Sequence, residues 1–443
     1  MKPFERIRFW ITFSIFYFSD GMIGMKPAIY KNLHPVYYMK ARFIPIVCGI
    51  ILLLLFILSI VPVGHELVNS NTKPSVTLVY ASSGMMPQLL NTSQVDAFIV
   101  WESVVSTSKL GGIGRVIARD ADFPPEHKWE HSACNVLVMR NEFILKNPGI
   151  ASLLSAITMA GMKQIEKDPA HAINITAAWV YGSQPIRSAG TYLNPHDVEA
   201  EAFQHIIFTD SAVPPDISRI GLPVFSGNKS GINESSGIST SVKTYAKELL
   251  NGSEPQITGK LSTIKIGYLP SSDLYAPLYV AIMDHETICN TYDFCLVPDS
   301  GSSVRPSSCN LIVHNQTIAT VDLLPGSVGG GVMTGLGQDA IDVAYIGSVP
   351  ALLQISMGNT ASIIQSVNTG GSGLIVNNTA PCTDWRSFIL WIKNRSAAGN
   401  PVILAAPQSS IQEEMMREAF DYEGIQIILY GIPPRWEINE TSA

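Results

Sequence analysis

The sequence predicts an α/β fold, and three observations carry that prediction. Apolar runs of strand length alternate with helical stretches from 264 to 430, and again from 76 to about 140, which is the pattern of strand–helix units gathered into sheets. The run from Ile264 to Ala281, IKIGYLPSSDLYAPLYVA, has the form of one such unit: a buried strand, a Pro-Ser-Ser turn and the start of an amphipathic helix. Of 443 residues, 46% are apolar and 15% charged, the balance of a core-forming chain and not of a disordered one. The net charge of −7 offers no electrostatic footprint for nucleic acid, so none is expected as a partner.

The N-terminal part stands outside this alternation. Phe43 to Val63, FIPIVCGIILLLLFILSIVPV, carries no charge and is long enough to cross a hydrocarbon core of about 30 Å as a helix. It predicts a transmembrane helix or signal anchor. Lys26, Lys31, Lys40 and Arg42 precede it, and Gly64, His65 and Glu66 follow. The excess of positive charge before the span places residues 1–42 in the cytoplasm and the main domain outside, on a single-pass protein of the cell membrane. No small-residue cleavage site is evident and no Cys follows closely to accept a lipid; whether the anchor is cleaved stays open. Phe9 to Phe18 is a shorter apolar run ended by Asp20, read as interfacial or weakly helical. Met39, followed by Lys40 and Arg42, offers a second start that would remove residues 1–38.

Nine Asn-x-Ser/Thr sequons, at Asn91, Asn174, Asn228, Asn233, Asn251, Asn315, Asn377, Asn394 and Asn439, permit glycosylation without requiring it. Cys48 lies in the apolar span and Cys134 stands alone, whereas Cys289, Cys295, Cys309 and Cys382 fall in one region. In an oxidising compartment these four allow three full pairings, among which sequence does not choose. His285 with these thiols has no standard zinc spacing, so no metal is expected.

Along the chain, Val76–Tyr80, Val95–Trp101, Val116–Ala118 and Cys134–Met139 read as strands. Asn141 to Lys167, Pro169 to Val180 and His196 to Ile207 read as helices, Ser226 to Val242 as a Gly/Ser/Asn-rich loop, and Thr244 to Leu250 as a short helix. After Ile264–Ala281 comes Cys289–Gln316, polar and irregular, which reads as an insertion or a replaced helix. Gly326 to Gly331 is a turn before a helix, since the lysine of a phosphate loop is missing. Ile341–Ile346, Ile363–Val367, Leu374–Val376, Val402–Ala405 and Ile425–Tyr430 are strands; Ala351–Met357, Trp385–Ile392 and Ile411–Phe420 are helices. Met86–Phe98 and Met333–Ala344 echo each other, as two similar halves would.

In these segments the chain resembles the periplasmic solute-binding components of ABC importers for nitrate, sulfonates, taurine and thiamine-pyrimidine precursors. That family opens with a unit like IKIGYLPSSDLYAPLYVA and continues with segments like GLGQDAIDVAYIGSVPALL, SVNTGGSGLIV and ILAAPQSSIQEEMM. Its second half has segments like VTLVYASSGMMPQLLNTSQVDAFIVWE and HSACNVLVMRNEFILKNPG, and it ends in helices resembling 150–250. Here that second half comes first. The resemblance therefore implies a two-lobed, periplasmic-binding-protein-like (type II) fold in circularly permuted order. Residues 74–140 would be the second part of lobe 2, 141–260 the C-terminal helices of lobe 1, 262–372 the N-terminal part of lobe 1, and 373–443 the first part of lobe 2. Permutation is tolerated where termini lie close together at the surface. It requires Val402–Ala405 and Val95–Val100 in one sheet. The end, IQIILYGIPP, and the start, VTLVYASSGM, resemble the same family strand, so the two cropped ends are expected to complete one lobe within the chain, or between chains by swapping.

The resemblance places a ligand between the lobes, at C-terminal strand ends and helix starts. Pro270, Ser271, Ser272 and Tyr275 follow the first strand; Gly347 and Ser348 the second; Gly370, Gly371 and Ser372 lie at the crossover. Ser409 and Ser410 precede a helix, where free N–H groups favour an anion or polar oxygen, although they also suit simple N-capping. Trp101 would give an apolar wall, or serve the core, and Glu102 would suit an amine or hydroxyl. Glu413 and Glu414 in the first helical turn argue against an anion there. No catalytic set appears, His131 being the nearest candidate, and no cofactor is implied. The expected function is a membrane-anchored solute-binding protein that delivers a small polar molecule to an ABC permease and its ATPase. The competing readings are an extracytoplasmic sensing or interaction domain, and a rearranged remnant that binds nothing.

Overall fold

The chain described by the structure, a computed structural model, comprises residues 73–216, 230–257, 263–299 and 303–430, with 230–237 described as backbone only. The apolar span 43–63, the run 9–18 and both start positions lie outside these residues. Among the described residues no helix is long and apolar enough to cross a membrane.

The chain runs β1 (Ser75–Tyr80), α1 (Met86–Asn91), β2 (Ala97–Trp101), α2 (Val104–Leu110), β3 (Gly114–Arg119) and β4 (Ala133–Arg140). A mainly helical stretch follows: α3 (Asn141–Lys146), α4 (Pro148–Lys167), α5 (Pro169–Tyr181), the hairpin β5 (Ile186–Ser188) and β6 (Thr191–Leu193), α6 (Pro195–Ala202), β7 (Ile206–Phe208) and α7 (Ser230–Leu250). Then come β8 (Thr263–Tyr268), α8 (Ala276–Met283), α9 (His285–Tyr292), β9 (Phe294–Pro298), β10 (Ser308–Val313), β11 (Gln316–Pro325), α10 (Gly329–Gly337), β12 (Val343–Gly347) and α11 (Ser348–Ser356). β13 (Ala361–Gly370), β14 (Ser372–Asn377), α12 (Trp385–Ala397), β15 (Val402–Ala406), α13 (Ile411–Tyr422) and β16 (Gln426–Leu429) complete it.

This is a mixed α/β architecture. Among the described residues the strands form a six-stranded sheet, β16-β1-β15-β2-β14-β3, an eight-stranded sheet, β7-β13-β4-β12-β8-β11-β10-β9, and the β5-β6 hairpin. In the first sheet β1 lies parallel to both β15 and β16, and β15 parallel to β2; β14 runs antiparallel between β2 and β3. In the second, β11 and β12 flank β8 in parallel, and β4 runs antiparallel between β12 and β13. The strands read from 95–100 and 402–405 therefore share a sheet, with Leu404 opposite Ala97. The first and last strands are neighbours, with Ser75 opposite Gln426. β4, within the segment 74–140, belongs to the second sheet.

The chain passes between the sheets twice among the described residues, from β3 to β4 and from β13 to β14. The second passage turns on Gly370 and Gly371, at φ of +74° and +83°, a region that a side chain resists. A Cβ on Gly370 would also stand 2.7 Å from the His205 carbonyl oxygen.

The second sheet packs against α4, whose residues are buried on almost every side. Leu153, Leu154 and Ile157 enter its core with Ile264, Ile266 and Val343. α4 meets α8 so closely that a Cβ on Gly161 would lie 2.0 Å from the Pro277 carbonyl oxygen. Trp179 stacks on Tyr279 with ring centroids 4.5 Å apart. Val76, Leu78, Ile99 and Leu404 of the first sheet pack with Phe388 and Phe420 from α12 and α13.

Three segments differ from the sequence expectation. The helix expected over 196–207 ends at Ala202, because Ile206–Phe208 pairs with β13 as a strand. The expected loop 226–242 is helical from Ser230. Val242, Ala246 and Leu249, at helical spacing, bury into the core beside α4, and that packing outweighs the weak propensity of the Gly- and Ser-rich start. Cys289–Gln316 contains the end of α9, then β9 and β10; in β10 Cys309, Leu311 and Val313 bury on one face with half-buried residues between them, the period of a strand. Of the open disulfide pairings, Cys289–Cys295 is formed, while Cys134, Cys309 and Cys382 are buried thiols.

Candidate functional site

Parallel strands end on the same side, so their topology decides which loops meet. Tyr80, Trp101 and Ala406 end β1, β2 and β15 together; Tyr268, Pro325 and Gly347 end β8, β11 and β12 together. The two passages lie at these same ends, since Ser372 pairs with Trp101 and Asn135 with Gly347. The strand ends of both sheets thus adjoin one junction.

Buried polar contacts bind that junction. The Glu102 N–H donates to the Gly371 carbonyl at 2.7 Å. Ser348 Oγ donates to the Ala133 carbonyl at 2.6 Å, and Asn135 Nδ2 to Asn368 Oδ1 at 3.1 Å. Gln412 Nε2 donates to Ser372 Oγ at 3.1 Å and lies 3.9 Å from Cys134 Sγ. The Ser372 N–H donates to Asp120 Oδ2 at 2.8 Å. Burial pushes the Asp120 carboxyl up to about 6 against that hydrogen bond and the charge of Arg119. Burial, reinforced by Asp120, likewise raises the Cys134 thiol, so this cysteine stays protonated and inert.

Of the positions singled out in the sequence, Trp101, Glu102, Gly347, Ser348, Gly370, Gly371 and Ser372 lie at this junction. Ser272 is buried, and its carbonyl accepts from the Tyr279 hydroxyl at 2.8 Å. Pro270 is half-buried and Ser271 exposed. Tyr275 is directed into the core, edge-on to Tyr345. Glu102 is fully buried, and its carboxylate accepts from Ser106 N and Oγ, at 3.0 and 2.6 Å, and from the Arg119 guanidinium. Its acceptors are therefore committed within the chain.

Ser410 caps α13, its Oγ accepting from Glu413 N at 3.2 Å. The Ser409 N–H donates to Glu413 Oε2 at 2.6 Å, and Tyr80 and Arg417 donate to Glu413 Oε1 at 2.6 and 2.7 Å. The place offered to an anion by the start of this helix holds the chain's own carboxylate.

Two acidic residues not singled out in the sequence complete the region. Asp273 opens the 3-10 turn Asp273–Tyr275 after β8, and Glu199 lies on α6; both are fully buried. Neither carboxyl has a hydrogen-bond partner of ordinary geometry among the described residues. Burial raises both far above the carboxylate range; the Asp273 and Glu102 charges add to the rise at Glu199. The Glu102 charge does so at Asp273, where the amides of Asp273 and Leu274 offset a part. Burial and the Glu199 charge also raise the hydroxyl of Tyr181, which lies 3.4 Å from Thr107 Oγ1. Asp273 directly follows the Pro-Ser-Ser turn, and Glu199 sits beside Val198 and Ala202 on the buried stripe of α6; an acidic residue on an apolar stripe was the available signal. No metal-binding group of three or more His, Cys, Asp or Glu occurs among the described residues.

A surface groove of about 700 Å³ lies elsewhere, lined by Met159, Met162, Phe208, Asp210 and Lys247 among others. It contains none of the residues above.

No family model matches the chain. No solved structure matches it. An uncharacterized protein of Methanocaldococcus jannaschii is 29% identical to it over 114 residues, which cover 25% of this chain and 74% of that protein.

Proposed function

We propose that this chain is a membrane-anchored, extracytoplasmic solute-binding protein of an ABC importer, which takes a small polar molecule between its two sheets and presents it to a permease and its ATPase. The observation that carries the reading is the convergence of both sets of strand ends on one buried polar junction, crossed by the chain only twice among the described residues. Two sheets joined by two passages of the chain would open and close about them, as hinged binding proteins do, and crevices at strand C-termini are where such sheets take ligands.

We read the architecture as a two-lobed, type II binding fold in permuted order. The pairing of β15 with β2 supports this, since the permutation requires it. The pairing of β1 with β16 supports completion within one chain. The Cys289–Cys295 disulfide supports an oxidising compartment, in accord with the anchor proposed at 43–63.

The test is thermal unfolding of the full-length protein in detergent against a panel of sulfonates, nitrate, taurine, pyrimidines and amines. A ligand at 100 times its Kd stabilises by about 2.7 kcal/mol. A folded protein shifted by no member of so broad a panel would overturn the solute-binding reading.

A further inference from the structure

We infer that the solute carries a cationic nitrogen, an ammonium or amidinium group, held between the carboxylates of Asp273 and Glu199. This rests on the solute-binding reading and narrows it to a ligand class. Both carboxyls are 0% exposed, and none of their four oxygens has a hydrogen-bond partner of ordinary geometry among the described residues. A carboxyl closed off from water without a partner keeps its proton, and a cation placed between two such groups would displace that proton and take the charge they then carry.

The surrounding chain makes this pair an exception. Glu102, whose negative charge acts on both carboxyls, has Arg119 and Ser106. Glu201, two residues beyond Glu199 on α6, has Lys109 and His205. Glu413 has Arg417 and Tyr80. A side-chain cation stands against each of these neighbouring acids, and none against Asp273 or Glu199 among the described residues.

The two acids come from different parts of the junction. Asp273 follows β8 of the second sheet. Glu199 is on α6, which packs against α5, itself in contact with the Asp273–Tyr275 turn, and also against α2, the helix that follows β2 of the first sheet. A group placed between them would lie beside α5, with α2 of the first sheet's side adjoining. An ammonium or amidinium supplies several N–H donors and the opposite charge, which together satisfy oxygens that the protein leaves unpaired. A sulfonate or nitrate oxygen would add a further negative charge at the same place. A zwitterion such as taurine meets the requirement through its ammonium end.

The experiment is calorimetric titration of the full-length protein in detergent, near neutral pH, with agmatine and putrescine as cationic probes. Methanesulfonate, nitrate and thymine are the comparison probes. The wild type should bind a cationic probe, and Asp273→Asn and Glu199→Gln should each weaken that binding about 30-fold or more, as loss of one partner of a buried charge pair does. Both variants should melt no lower than the wild type, because each replaces a buried carboxyl that has no side-chain partner with a neutral amide of the same shape, so failure to fold would show in the melt. Equal cation affinity in wild type and folded variants would overturn the inference. So would binding of methanesulfonate, nitrate or thymine with no binding of either cation, a result that leaves the solute-binding reading standing. Binding of no probe at all, together with no shift across the wider panel, would overturn the solute-binding reading itself.

Discussion

Replacing Asp120 by Asn should change how stability varies with pH, in a direction fixed by the burial of its carboxyl. In the folded protein this group titrates at about 6, against 3.8 for an ordinary aspartate, because burial outweighs its hydrogen bond from the Ser372 N–H. The folded chain therefore keeps a proton that the unfolded chain releases. Stability from this proton is fully present below about 3.8 and is lost as pH rises through about 6. At about 1.36 kcal/mol per pH unit, the loss is about 3 kcal/mol. Asn in place of Asp120 does not titrate, yet its side-chain oxygen still accepts the Ser372 N–H. Urea unfolding at pH 4 and pH 7 measures the effect. The stability of the variant relative to wild type should rise by about 2.4 kcal/mol between the two pH values, since a part of the full loss has already occurred at pH 4. Asp273 and Glu199 titrate in both proteins and largely cancel in the difference. A difference that stays the same at pH 4 and pH 7 would refute the burial argument.

Gly161→Ala should destabilise by about 2 kcal/mol or more in denaturant unfolding, because its Cβ would meet backbone, the Pro277 carbonyl, at 2.0 Å. Trp179→Ala should cost about 3–5 kcal/mol by the same assay, through loss of the stack on Tyr279 and the contact with Tyr268. Reducing the Cys289–Cys295 disulfide, which closes a loop over a separation of 6 residues, should lower stability by about 2 kcal/mol on the chain-entropy relation, and Cys289→Ser with Cys295→Ser should abolish the sensitivity to reductant.

The alternation of strands and helices was legible because most central strands are short, unbroken apolar runs: AFIVW in β2, VILAA in β15 and VAYIG in β12 bury nearly every residue. β10 was hidden by its alternation of buried and half-buried residues within a Cys- and Ser-rich stretch. The start of α7 was hidden because the helix is held by Val242, Ala246 and Leu249 packing beside α4 and not by its own Gly- and Ser-rich sequence. The polar positions chosen at strand ends fall largely at the junction, since the end of a strand is a local property. Their partners were not legible. That Glu102 is spoken for by Arg119, and Ser409 by Glu413, depends on side-chain geometry. Asp273 and Glu199 lie 74 positions apart in the chain, and the packing of α5 against both α6 and the Asp273–Tyr275 turn brings their charges within reach of each other.

The central claim is that a solute closes the two sheet-bearing halves upon itself. Spin labels at Ser271→Cys and Gln408→Cys, both exposed positions after strands of different sheets, with Cys48→Ser to remove the thiol of the apolar span, report the distance between the halves directly. The account predicts a distribution that shortens and narrows when the stabilising panel compound is added. An identical distribution with and without that compound at saturation would contradict it.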